Sequence, residues 1–292
     1  ATLTVDLESV GGIVSSDSTV CSGSNSGTLT VSGETGSVVR WESSINDWST
    51  IDVIPNISKT QNYNNLTETT KYRAIIQSGV CSEAISSEVT ITVDAPTVGG
   101  TLNSDATVCS GNNSVALNLS GHTGRIVRWQ KTTSTWSNKD KIPNTTNNEN
   151  VIDITNTTKY RVVLRSGVCP RAFSNVITIE VDEPTSGGTL TSEATNVCFG
   201  DNSGTLTVSG ETGDVVRWET TTSDWSSVNV ISNSTNTQDY NNLTATTKYR
   251  AIIQSGVCSE ATSNEVTITV DEVSTGGTLT SEATNVCFGD NS

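Results

Sequence analysis

The sequence predicts an all-β chain of tandem small sandwiches, and three observations lead there. Cysteines at Cys21, Cys81, Cys109, Cys169, Cys198, Cys258 and Cys287 recur in corresponding positions every 88 or 89 residues, a self-similarity that marks a repeat architecture. Apolar residues fall in short runs spaced by two and framed by Gly, Ser, Asn and Thr, the pattern of short strands and turns. Each unit also has the order cysteine, tryptophan 20 residues on, second cysteine 40 further on.

The period divides the 292 residues into three units of just under 90 residues with broken ends. Boundaries fall at Gly-Gly pairs: 1–10 is the last strand of a preceding repeat, 11–98, 99–186 and 187–275 are repeats 1 to 3, and 276–292 opens a following one. TLTVD at 2–6 matches TITVD at 90–94, and 276–292 is identical to 187–203, so the sequence reads as part of a longer array. Repeats 1 and 3 are close copies. Repeat 2 has drifted and carries more Lys and Arg, among them Arg125, Lys131, Lys139 and Arg171.

In repeat 1 the pattern predicts strands near 12–15, 19–21, 27–32, 37–42, 47–53, 60–64, 71–77 and 87–93. Val39 and Trp41 alternate with Arg40 and Glu42, which points the tryptophan inward and the charges outward. Tyr72, Ala74 and Ile76 face one way and Arg73 and Gln77 the other. With these strands adjacent, Arg73 meets Glu42 across the sheet for a few tenths of a kcal/mol. Trp41, Tyr72, Trp129, Tyr160, Trp218 and Tyr249 are the expected core aromatics.

Cysteine, tryptophan, cysteine is the order of an immunoglobulin-like sandwich. Leu66, Thr70 and Tyr72, echoed by Leu243, Thr247 and Tyr249, resemble the tyrosine corner of fibronectin type III domains. Here the second cysteine lies nine residues past the tyrosine, which puts it in the turn after that strand, near one pole.

With one histidine and no Cys-x-x-Cys, the cysteines read as disulfides of a secreted protein and not as metal or redox sites. Pairing within repeats gives Cys21–Cys81, Cys109–Cys169 and Cys198–Cys258, with Cys287 unpaired. Such pairing lets each unit fold without its neighbour, and by loop entropy a bridge closing roughly 60 residues stabilises by about 4 kcal/mol. The competing regular spacing, Cys81–Cys109, Cys169–Cys198 and Cys258–Cys287, would staple each domain to the next.

RWESSINDWSTIDVIPN, YNNLTETTKYRAIIQSGVCSEA and TVCSGSNSGTLTVSGETG resemble the Ig-like repeats of giant cell-surface proteins of Bacteroidota. The nearest resemblance is to the mobile gliding-motility adhesin of flavobacteria. It covers all three units and rests on the Val-Cys-x-Gly opening, the tryptophan pairs seven residues apart and the Tyr-Arg to Ser-Gly-Val-Cys segment. It implies an extracellular, cell-surface protein exported by the type IX system and anchored at the outer membrane through other regions. Related repeats occur in secreted enzymes of the same bacteria.

Acidic residues outnumber basic ones by 31 to 16, so the surface repels nucleic acid and anionic membrane. No run of eighteen apolar residues occurs and these residues do not open on a charged-then-apolar stretch, so no membrane span or signal peptide is expected within them. His122 stands where the other repeats have Glu34 and Glu211, and no Gly-x-Ser-x-Gly elbow occurs; no catalytic residue and no cofactor is expected. Acidic residues at the junctions (Asp6, Glu8, Asp94, Asp182, Glu183, Asp271, Glu272) raise calcium, but at most two carboxylates each fall short of six to eight oxygen ligands, and no metal is expected. Trp48, Trp136 and Trp225 are candidate exposed aromatic contacts for sugars. Phe199 and Phe288 are candidates for packing on a neighbouring unit. The Asn-x-Ser/Thr sequons reflect composition, and Asp17-Ser18-Thr19 resembles the O-glycosylation motif of the same phylum.

These observations describe a structural or adhesive stalk for surface attachment and gliding, in which copy number supplies length. Its partners are neighbouring repeats, an extracellular surface or polysaccharide, and motility or secretion machinery reached through other regions. The alternatives are a multivalent carbohydrate-binding array and the spacers of a secreted polysaccharide-active enzyme.

Overall fold

The computed structural model describes residues 2–15, 17–281 and 288–289. Cys287 lies outside the described residues. The chain is all-β and forms three tandem immunoglobulin/fibronectin-III-like sandwiches, and its contacts group into two compact units. One unit joins residues 1–106 to 112–180, and the other joins 107–111 to 181–292.

In repeat 1 the strands are β1 (Ile13–Val14), β2 (Ser18–Cys21), β3 (Ser26–Ser32), β4 (Ser37–Ser44), β5 (Asp52–Ile54), β6 (Thr60–Asn64), β7 (Thr70–Gln77), β8 (Ala84–Ile85) and β9 (Val89–Asp94). One sheet has the order β1-β3-β6. The other runs β2-β9-β7-β4-β5, with β8 added to β7. All pairings are antiparallel except β2 with β9, where Cys21 lies opposite Asp94. The same two sheets recur in the other repeats. Among the described residues the one helical element is the 3-10 turn Trp136–Asn138.

Trp41, Trp129 and Trp218 are fully buried, and Tyr72, Tyr160 and Tyr249 nearly so. Trp41 packs with Leu29, Val31, Ala74, Ile76 and Ile91, and its indole N–H donates to Ser58 O at 2.9 Å. That bond removes the cost of burying the one polar atom on the ring.

Two details differ from the sequence reading. The register of β4 against β7 shifts between Val38 and Arg40, a bulge that adds one residue and re-aims the side chains beyond it. Val38, and not Val39, therefore joins Trp41 in the core. The strand expected at 47–53 shrinks to Asp52–Ile54, because Asp47 and Trp48 take left-handed φ angles of 54° and 65° and form a turn.

Candidate functional site at the repeat junction

The bridges are Cys21–Cys169 and Cys109–Cys258, with Cα separations of 4.8 and 4.9 Å. This corrects the pairing expected within repeats, Cys21–Cys81, Cys109–Cys169 and Cys198–Cys258, and equally the alternative of Cys81 with Cys109. The first cysteine of a repeat joins the second cysteine of the next.

Strand direction explains it. Parallel pairing puts Cys21 beside the C-terminal end of β9. Cys81 comes after β7, which runs antiparallel to β9, with Thr70 opposite Ile91 at that same end. The length of β7 therefore separates Cys21 from Cys81, on the order of 24 Å, far beyond the few ångströms a disulfide spans. The second cysteine does sit in a turn near one pole, as its spacing implies, with Cys81 N donating to Ser78 O. It is the pole that faces the previous repeat.

Around each bridge the Ser-Gly-Val-Cys segment forms a socket. Between repeats 1 and 2 the Asp94 carboxylate accepts from Val168 N at 2.9 Å, and Ser166 N donates to Thr97 Oγ1 at 2.9 Å. Gly167 has a φ of +43°, and a Cβ there would fall 1.9 Å from Asp94 Oδ2. Only glycine satisfies both conditions cheaply. The linker is docked as well: Val98 bridges to Thr123, and Gly99 lies so close to Phe173 O that a Cβ would meet it at 1.8 Å.

The same socket recurs twice. Asp182 accepts from Val257 N at 2.8 Å and Ser255 N donates to Thr185 Oγ1 at 3.0 Å. Asp6 accepts from Val80 N at 3.0 Å, Ser78 N donates to Ser9 Oγ at 2.9 Å, and the Cys81 thiol donates to Leu7 O at 3.3 Å. Cys81 and Cys198 are free thiols. Asp6, Asp94 and Asp182 are thus hydrogen-bonded acceptors at the junctions. Among the described residues no group of three His, Cys, Asp or Glu side chains is placed to hold a metal.

Trp48, Trp136 and Trp225 are half-buried, each with a ring face covered by an arginine: Arg73, Arg161 and Arg250 lie 3.9 to 4.0 Å from the ring centroids. The Trp48 and Trp225 indoles also donate to Glu88 and Glu265 at 2.8 Å. His122 contacts Gly124 O and Asn147 Oδ1. Phe199 is about half exposed and Phe288 fully so. No described helix is long and apolar enough to cross a membrane.

The family described as "Domain of unknown function (DUF8696)" matches residues 10–95, 98–183 and 186–272. No curated protein matches. Among solved structures, the FN1-FN3 domains of chicken CNTN1 align with 10% identity over 89% of this chain and 98% of theirs, at a TM-score of 0.32. Domains A168-A170 of titin align with 13% identity over the same shares, at a TM-score of 0.37.

Proposed function

As the chain belongs to the DUF8696 family, in three tandem copies, we propose that it is a load-bearing stalk or spacer of a secreted protein, without catalytic activity of its own. The observation that carries this is the bridge from each repeat to the next, Cys21 to Cys169 and Cys109 to Cys258. Such bonds persist outside the reducing cytosol. They also shorten the covalent path through the array, so that less chain pays out when the sandwiches themselves give way.

Pulling the chain from its ends tests it. With both bridges intact the shortest covalent path runs from residue 1 to Cys21, crosses to Cys169, returns to Cys109, crosses to Cys258 and leaves to residue 292. Fully extended, that path measures roughly 400 Å, against about 1,000 Å for the reduced chain. Equal lengths before and after reduction would sink the reading.

The finer reading is that the stalk belongs to a cell-surface filament for attachment and gliding, exported by the type IX route. Its support is the resemblance of the Val-Cys-x-Gly, paired-tryptophan and Ser-Gly-Val-Cys segments to Bacteroidota adhesin repeats. Deleting the three repeats from the parent gene and scoring attachment and gliding tests it; unchanged behaviour would leave a spacer alone. A sugar-binding array repeated in every unit is disfavoured, because an arginine occupies one face of each of these half-buried tryptophans.

A further inference from the structure

We propose that the outward face of the larger sheet of repeat 2 binds a carboxylate-bearing polysaccharide, through arginines whose internal acidic partners are missing. In repeat 1, Arg40 and Arg73 both grip Glu42, Arg40 also pairs with Glu83, and Lys71 pairs with Asp47 and Glu88. Repeat 3 has Arg217 and Arg250 on Glu219, Arg217 on Glu260, and Lys248 on Glu265. Repeat 2 retains the bases as Arg128, Lys159 and Arg161. Where repeat 1 has Glu42, Glu83, Glu88 and Asp47, repeat 2 has Gln130, Arg171, Val176 and Thr135.

Further cations join that face. Arg125 and Arg165 stand directly opposite each other in register, and Lys141 stands opposite Gln130. Like charges so placed repel. Residues 99–186 hold nine of the 16 basic residues but only seven of the 31 acidic ones, so a basic segment sits within an acidic chain.

Two buried polar atoms beneath the face show that its internal acid is missing, while Arg125, Lys141, Lys159 and Arg171 stand exposed for an external anion. Arg161 Nε donates to Gln130 Oε1 at 2.9 Å, as Arg73 donates to Glu42 Oε2. That leaves the Gln130 amide nitrogen in the place where Glu42 Oε1 accepts from Arg40 Nε. Gln130 is fully buried, and neither its Nε2 nor Arg128 Nε has a hydrogen-bond partner. Burial, and then repulsion from Arg128, lowers the pKa of Arg161, in keeping with a guanidinium short of a counter-charge. Its planar group lies between Trp136, 3.9 Å away, and half-exposed Phe173, 4.2 Å away.

The width of the patch selects the ligand. The cations spread over four neighbouring strand segments, about 14 Å at the usual inter-strand spacing, more than one small anion covers. A linear polymer with carboxylates at intervals and sugar faces for the exposed aromatic ring fits it. A second copy of this chain fits less well, since the acids on the matching faces of repeats 1 and 3 are already paired with their own bases. Nucleic acid, with a charge every 1.7 Å or so of duplex, meets the acidic flanks.

Titration of the intact oxidised chain with polygalacturonate, followed by calorimetry, tests the site. The fold-preserving variants are Gln130→Glu and Arg171→Glu, which restore what repeats 1 and 3 carry. The expected result is binding that weakens with salt, falls at least tenfold in the double variant and is absent with neutral dextran. No binding, equal binding by the double variant, equal binding of dextran, tighter binding of duplex DNA, or self-association of the chain with polygalacturonate silent would each overturn the proposal.

Discussion

The Asp94 carboxylate, at the end of the last strand of repeat 1, accepts a hydrogen bond at 2.9 Å from the backbone N–H of Val168 in repeat 2. It does so beside the bridge that joins Cys21 to Cys169. One acidic side chain and one disulfide therefore act on the same junction, and their contributions are separable by mutation.

Asp94→Ala is expected to destabilise by about 1 kcal/mol or more, the worth of a hydrogen bond to a charged group at a partly exposed site. Gly167→Ala is expected to cost more, because it combines a left-handed φ with a Cβ in the space of the carboxylate. Denaturant unfolding of the oxidised chain gives both values. Faster hydrogen exchange at Val168 with the repeat 1 core unchanged would place the loss at the junction.

Non-reducing peptide mapping is expected to return Cys21 with Cys169 and Cys109 with Cys258. Maleimide is expected to label Cys81 and Cys198, which are free thiols. In Cys21→Ser the newly labelled residue should be Cys169. Recovery of Cys21 joined to Cys81 would contradict the arrangement.

Gln130→Glu is expected to stabilise repeat 2 by about 1–3 kcal/mol, because one acceptor then satisfies Arg128 and Arg161 together. The reverse change, Glu42→Gln in repeat 1, should destabilise by a similar amount. A pair of melting curves decides it: a lower midpoint for Gln130→Glu would refute the claim that the two nitrogens lack an acceptor.

Acid should weaken repeats 1 and 3 ahead of repeat 2. The Arg40 and Arg217 hydrogen bonds hold Glu83 and Glu260 below the ordinary value of 4.5, and the Trp48 and Trp225 indoles, with Lys71 and Lys248, do the same for Glu88 and Glu265. A carboxylate with a lowered folded-state pKa binds fewer protons folded than unfolded. Its contribution is therefore complete above the unfolded value and is lost as pH falls below 4.5 through the lowered one. Repeat 2 has Arg171 and Val176 in these places. Hydrogen exchange by repeat between pH 6 and pH 3, on the order of the carboxylate range, should show the order; simultaneous loss in all three would count against it.

Much of the architecture was legible because it is written in local periodicity. Alternation by two put Tyr72, Ala74 and Ile76 inside and paired Arg73 with Glu42, as the register confirms. The exceptions are where a single residue breaks the period. The bulge after Val38 and the left-handed turn at Asp47 and Trp48 depend on how neighbouring strands and the Ser44 hydroxyl, which accepts from Trp48 N at 2.9 Å, hold the backbone. The junction acids were visible in the sequence, but their role as acceptors for the backbone of the next repeat was not. The signal available was Ser-Gly-Val-Cys itself, whose glycine leaves room for a carboxylate.

By itself the sequence determined the repeat length, the strands, the inward tryptophans and a cross-linked chain, since each comes from spacing along one strand or from counting. Tertiary structure alone decided which cysteines meet and which charges go unanswered. Cys21 is 60 residues from Cys81 and 148 from Cys169, yet parallel pairing of β2 with β9 carries it to the pole that faces the next repeat. Distance along the chain does not encode that direction, and in a sandwich the direction of one short strand chooses the pole.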